Sequence, residues 1–134
     1  MSNSSIHYSS QTLPDAAEVL SLFKAAGILQ PGWNVDRMQR ALKQSSVVVT
    51  AWDGKKLVGI ARSISDLAWY AYLSQLAVAP DYQRRGIGKS LLIKTKEVLG
   101  EEVALLTHSA DAGKYYLKQG FVEYRDCYRL PRSK

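Results

Sequence analysis

An α+β domain with a mixed, mostly antiparallel sheet is predicted by three features of the chain. Two apolar runs, 47–52 and 56–64, meet at Asp53-Gly54, a strong hairpin signal. Hairpin strands come early and strand–helix alternation comes late, which adds crossover units to an antiparallel start. Residues 75–92 read QLAVAPDYQRRGIGKSLL, a strand that ends in a glycine-bearing turn and passes at once into a helix. The expected order is β-α-α-β-β-β-α-β-α-β, in one domain over residues 1–134.

Residues 6–10 read as a short first strand. Leu13-Pro14-Asp15 marks a helix start. Ala16, Val19, Leu20, Phe23 and Ala26 then recur at helical spacing, and Gly27 stops the helix. Gln30-Pro31-Gly32-Trp33-Asn34 is a turn. Met38, Ala41 and Leu42 share one face of a second helix over 35–44. Residues 47–52 are almost all apolar, as in a strand covered on both faces. Residues 56–64 return as its partner. Residues 70–78 are the central strand, ended by Pro80 and Asp81. A helix over 89–99 is closed by Gly100. A strand at 103–107, a short helix at 112–118 stopped by Gly120, and a last strand at 121–130 complete the order.

Apolar residues at 46% and charged residues at 22% describe a soluble globular domain. A chain of this size buries about two-thirds of its unfolded surface, so one core suffices. No run reaches the length of a membrane span. Residues 1–11 are polar and Ser-rich, without the basic start and apolar centre of a secretory signal. Cys127 is the single cysteine, so no intrachain disulfide forms; a packed thiol in a reducing, cytoplasmic setting is expected. The net charge of +6 raises nucleic acid as a partner. The basic residues are spread along the chain, however, and densest at Arg84, Arg85 and Lys89, so neither nucleic acid nor membrane is expected. No His/Cys cluster has metal-ligand spacing. No G-x-S-x-G elbow supports a hydrolase triad.

A glycine turn that opens a helix is an anion site. The first helical N–H groups lack internal partners, and the dipole places positive charge there. Gly86 and Gly88 remove Cβ atoms that would hold a phosphate off, and Arg84, Arg85 and Lys89 add charge. The turn is not G-x-G-x-x-G, because Leu91 replaces the third glycine. It is not a P-loop, which needs glycine at Gln83. The whole string L-A-V-x-P-x-Y-Q-x-x-G-I-G-x-x-L-L resembles the acetyl-CoA-binding motif of the GNAT N-acetyltransferase superfamily, Q/R-x-x-G-x-G/A after a strand. The element order extends this resemblance over residues 6–130. Gly32-Trp33, Ala61-Arg62 with Ser65-Asp66, and Pro80-Asp81-Tyr82-Gln83 are similar to the small plastid and bacterial serotonin N-acetyltransferase-like members.

The resemblance implies acetyl-CoA as the donor. The loop from Gln83 through Arg84, Arg85, Gly86, Ile87, Gly88, Lys89 and Ser90 would take the pyrophosphate. Leu76, Ala77 and Val78 would pair with the pantetheine arm as with an added strand. An N–H near Leu76 would donate to the thioester oxygen. Residues 112–121 match A-x-x-x-Y-x-x-x-G-F, which makes Tyr116 the general acid near the sulfur; a phenol with a pKa of about 10 suits that role. Tyr115 would face the core. Ser109 stands where many members carry a cofactor-binding Asn.

The acceptor side is less complete. A lysine-like ammonium of pKa ~10.4 is neutral about 0.04% of the time at pH 7, equivalent to about 4.6 kcal/mol. The family's Glu or His base on the central strand is matched by Tyr72 and Ser74, neither a base at neutral pH. Asp66 is the nearest acidic candidate, in competition with a turn-capping role. Trp33 and Trp69 lie in loops that the family places around the acceptor, in competition with a packing role. His7 and His108 read as structural or surface residues. The expected activity is direct acetyl transfer to a primary amine, on a small molecule such as an arylalkylamine, with Trp33, Asp66, Tyr72 and Ser74 around it. Acetylation of a protein lysine or N-terminus, and a non-catalytic acyl-CoA-binding regulatory module, are the alternatives. A homodimer is left open.

Overall fold

The computed structural model describes residues 5–109 and 112–133. The elements are β1 (Ile6–Ser9), α1 (Ala16–Ala25), α2 (Val35–Gln44), β2 (Val47–Asp53), β3 (Lys56–Ser65), β4 (Tyr70–Val78), α3 (Ile87–Leu99), β5 (Ala104–Thr107) and α4 (Gly113–Lys118), with a 3-10 turn at Pro80–Tyr82 between β4 and α3. They form one sheet in the order β1-β2-β3-β4-β5. The first four strands are antiparallel neighbours, and β5 runs parallel to β4. This is the expected mixed sheet of an α+β fold.

Burial explains the layering. Residues 57–63 of β3 are all buried, so both faces of the sheet are covered there. On one face Gly59 meets Ile87 and Leu91 of α3; a Cβ on Gly59 would stand 3.0 Å from Leu91 Cδ1 and 3.3 Å from Ile87 Cγ2. Side chains alternate along a strand, so Arg62, three residues on, projects to the opposite face. That face carries α1 and α2, with Val19, Phe23, Met38 and Leu42 buried against the sheet. Asn34 starts α2 by accepting from the Arg37 N–H at 2.9 Å, as a capping residue should.

Three details differ from the expectation. The β2–β3 turn centres on Gly54 and Lys55, one residue later than Asp53-Gly54, because Asp53 still pairs with Lys56. The second difference is larger. Residues 121–133 form no strand, so the expected final strand over 121–130 is absent. The β-rich composition of that stretch finds no face to bury: Val122 is 82% exposed and Leu130 96%, and a turn at Arg125 and Asp126 breaks the run. The outer edge of β5 stays unpaired among the described residues, beside a groove of about 990 Å³ between α3 and residues 119–124. Cys127 lies in the same stretch and is exposed rather than packed.

The close approach of α3 to Gly59 fixes where the helix starts. Gly59→Val should therefore lower stability by about 1–3 kcal/mol through overpacking. Urea denaturation with an unchanged m-value is the check; unaltered stability would show that Ile87 and Leu91 yield freely.

Candidate functional site

Pairing between β4 and β5 stops at Leu73 and Thr107. Beyond that fork β4 runs on to Val78, held on one side only, by Ala61, Ile60 and Gly59 of β3. The other backbone edge of Leu76, Ala77 and Val78 has no strand partner among the described residues. An unpaired edge is a template for an extended chain that supplies matching donors and acceptors. Gln83 tidies the far end, donating from Nε2 to the Val78 carbonyl at 2.9 Å.

The chain then turns through Pro80–Tyr82. Tyr82 Oη donates to Asp53 Oδ2 at 2.5 Å, tying the turn to the β2–β3 hairpin. That bond raises the Tyr82 phenol above its ordinary pKa, so the donor keeps its proton. The Arg85 guanidinium lies 5.1 Å from the Tyr82 ring centroid. Arg84 (φ 65°) and Gly86 (φ 82°) both adopt the left-handed conformation. For Arg84 this costs about 1–3 kcal/mol, and such curls gather backbone N–H groups into an anion-binding concavity. Among the described residues, the N–H groups of Arg84, Gly86, Ile87, Gly88 and Lys89 have no acceptor. No side chain caps α3, and its first turn carries no acid. Ile87 is buried and anchors the turn to the core. Ser90 sits one step further in, its N–H already bonded to the Gly86 carbonyl at 3.0 Å.

The two glycines divide the work differently from the expectation. Around a Cβ on Gly86 nothing lies within 4 Å, so Gly86 does keep the outer face of the turn open. A Cβ on Gly88 would stand 2.5 Å from the Tyr115 hydroxyl oxygen. Gly88 therefore makes room for Tyr115, which reaches back from α4 to the start of α3. Burial holds the Tyr115 phenol above its ordinary pKa.

Tyr116 stands at the fork itself. It packs edge-on against Tyr115 and Phe121, with ring centroids 5.4 and 5.1 Å apart. Burial pushes its phenol up, and the neighbouring Thr107 side chain partly offsets this. Thr107 is the last β5 residue to pair with β4, and its hydroxyl donates to the Leu73 carbonyl at 3.0 Å. Tyr72, exposed on β4, adds to the rise at Tyr116; at Arg62 burial lowers the pKa, and Tyr72 offsets only part of that. Ser109 serves locally, accepting from the Ala112 N–H at 2.8 Å ahead of α4.

A second feature was not legible in the strand pattern. Arg62 pairs with Gln75 and Ser63 pairs with Leu73, so Ser74 is an extra residue in β4. This bulge breaks the alternation and turns Ser74 and Gln75 to the same side. Both accept from Arg62: Gln75 Oε1 from Nε at 2.5 Å and Ser74 Oγ from Nη2 at 2.9 Å. Ser45 Oγ accepts from Nη1 at 3.1 Å. Arg62, Ser74 and Gln75 line a cavity of about 180 Å³, together with Trp33, Arg37 and Arg132. Trp33 is half-buried and packs on Phe23, centroids 5.8 Å apart. Trp33 and Ser74 are thus brought together as expected, with Arg62, Gln75, Arg37 and Arg132 beside them. The available signal was an arginine within a strand otherwise buried on both faces.

Asp66 is elsewhere. Its Oδ1 accepts from the N–H groups of Ala68 and Trp69 at 2.9 Å and of Tyr70 at 3.2 Å. These bonds, led by that of Ala68, hold its carboxyl below the ordinary value. A carboxylate already stabilised by three donors is a weak base, so the turn-capping role accounts for it. Trp69 is 72% exposed and lies outside the cavity.

A family model described as "Acetyltransferase (GNAT) domain" matches residues 44–123. The chain belongs to the GNAT acetyltransferase family. Among its GNAT relatives is an uncharacterized N-acetyltransferase, ycf52, of Pyropia yezoensis, 31% identical over 71% of this chain and 60% of that protein. Another is the chloroplastic GCN5-related N-acetyltransferase 2 of Arabidopsis thaliana, 31% identical over 75% of this chain and 43% of that protein. The chain thus spans less than two thirds of these relatives' length. Among solved structures, a GNAT-family acetyltransferase from Streptococcus pneumoniae has a TM-score of 0.74 at 28% identity, covering 96% of this chain and 98% of that one. An aminoglycoside acetyltransferase from a soil metagenome, in complex with trehalose, has a TM-score of 0.72 at 25% identity, covering 96% and 95%.

The contact between Gly88 and Tyr115 makes a coupled prediction. Gly88→Ala should weaken CoA binding by displacing Tyr115 or the start of α3, and Tyr115→Phe should restore much of it by removing the oxygen. Calorimetry on the two single variants and the double variant should give a coupling of about 0.5–3 kcal/mol. Strictly additive effects would mean that the two residues do not meet.

Proposed function

We propose that the protein transfers an acetyl group directly from acetyl-CoA to a primary amine on a small molecule, such as an arylalkylamine. One observation carries this reading: the open edge of β4 runs from the fork, where the Tyr116 phenol packs, to the donor-lined start of α3. These features suit the donor. The unsatisfied N–H groups of Arg84, Gly86, Ile87, Gly88 and Lys89 fit a pyrophosphate. The edge of Leu76 to Val78 fits an amide-bearing arm. Acetyl-CoA supplies an activated thioester when bound. By the family resemblance, an N–H near Leu76 would polarise the thioester oxygen. Tyr116 holds a proton at Oη through neutral pH and can give it to a departing sulfur. The small volume of the cavity beside Ser74 supports a small acceptor.

Relatives' names point both ways on the acceptor. A soybean relative, 30% identical, is named a histone acetyltransferase, while the metagenomic neighbour is an aminoglycoside acetyltransferase. An amine panel that includes a lysine peptide decides between them. A peptide preferred by orders of magnitude would overturn the small-molecule reading. No turnover with any amine, despite CoA binding, would favour a non-catalytic acyl-CoA-binding module.

Tyr116→Phe should lower kcat about 10²-fold and leave CoA affinity nearly unchanged. Because the phenol pKa is raised, the acid stays loaded as pH climbs past the usual range. The wild-type rate should therefore rise with pH as the amine deprotonates, with no falling limb near pH 8 to 9. Wild-type kcat in the Phe variant, with chemistry rate-limiting, would remove the hydroxyl from the mechanism.

Asp66→Ala should leave the pH–rate profile on that of the wild type while speeding amide exchange at Ala68, Trp69 and Tyr70. The lowered carboxyl pKa carries its own sign. Its contribution to the loop is present above the unfolded carboxylate pKa of about 3.9 and is lost as pH falls through the lower folded value. A profile that shifts with the substitution would return Asp66 to the chemistry.

A further inference from the structure

We infer that the cavity beneath α2 is an anion subsite, and that the acceptor amine carries a carboxylate. The amine half of this statement rests on the acetyl-transfer reading. The anion half stands on the cavity alone.

Arg62 is the central observation. It is 7% exposed, in the middle of β3, and its guanidinium has five N–H donors. Three are used, by Gln75, Ser45 and Ser74, and all three acceptors are neutral. Among the described residues the other two, on Nη1 and Nη2, have no acceptor, and Arg62 lines the cavity. Among the described residues no carboxylate lies within 4.0 Å of Arg62, Arg37 or Arg132. A buried charge without a counter-charge is costly, and neutral hydrogen bonds offset only part of the lost hydration. Burial accordingly holds the guanidinium below its ordinary proton affinity.

Arg37 and Arg132 sharpen the point. They are exposed residues from distant parts of the chain, α2 and the C-terminal stretch, yet they line the same small cavity as Arg62. A bare ammonium entering between three guanidinium groups is repelled. A carboxylate supplies the missing counter-charge, and its two oxygens match the two donors left at Arg62. Ser74 and Gln75, which hold Arg62 in place, immediately precede Leu76 on the open edge of β4. The bulge therefore sets the anion subsite next to the place where an acceptor amine would be acetylated. The cavity of about 180 Å³ admits a carboxylate and a short stem.

The test uses matched pairs that differ by one carboxylate: phenylalanine with 2-phenylethylamine, and 5-aminopentanoate with pentylamine. Calorimetry with CoA present measures binding, and an acetylation assay on the same panel measures transfer. The carboxylate-bearing member of each pair should bind at least tenfold more tightly at low salt, with the gap narrowing as salt rises. Arg37→Gln and Arg132→Gln together should cut that preference severalfold by weakening the carboxylate-bearing members and not the plain amines, with circular dichroism confirming the fold. Equal affinity within every pair would overturn the subsite, as would a preference untouched by the two substitutions. Acetylation without any pair preference would likewise sink the subsite and leave the transfer reading standing. A carboxylate preference with no acetylation of any amine would support the subsite and overturn the transfer reading.

Discussion

The early end of pairing between β4 and β5 is the constraint on which the rest depends. Buried backbone donors and acceptors must be satisfied, and a sheet normally does this strand by strand. Here β5 stops matching at Thr107 while β4 continues to Val78. The unmatched edge cannot be closed from within the described residues. It persists because β3 holds β4 firmly on the other side, and because Thr107 fixes the fork by bonding to Leu73. Tyr116 then packs at the same point. The opening that defines the site is thus the cost of ending one strand before its neighbour.

Around this fork the fold places strain and unsatisfied charge where a ligand can relieve them. Arg84 holds a left-handed conformation that suits glycine better. Among the described residues, five N–H groups within 84–89 lack acceptors, and the first turn of α3 has no acid to answer the helix dipole. Arg62 is a guanidinium buried among neutral partners. Each would be a fault in a purely structural domain. They fall into two groups, one at each end of the exposed β4 edge. The acetyl donor suits the group at α3, and the acceptor suits the group at Arg62.

Most of the fold was legible because the punctuation was strong. Gly54, Pro80, Gly100 and Gly120 sit at or beside element ends, and the buried faces repeat at helical or strand spacing. The phosphate loop was legible for the same reason, since its backbone chemistry follows from a glycine turn before a helix. Three things were not. The stretch from 121 to 130 has strand-forming residues, but propensity acts only when a face is buried, and Val122 and Leu130 bury none. Asp66 looked like a base because a lone carboxylate near a site invites that reading; its three backbone donors are visible only in three dimensions. The convergence of Ser74 and Gln75 on Arg62 depends on one extra residue in β4, and a bulge leaves no mark in a two-residue periodicity.

The central claim is that the fork and the start of α3 are one continuous donor site. A crystal structure with CoA bound tests it most directly. The account predicts the pyrophosphate against the N–H groups of residues 84–89, the pantetheine arm paired along Leu76 to Val78, and the sulfur beside Tyr116 Oη. CoA lying instead in the groove along the free edge of β5, with the start of α3 left empty, would contradict it.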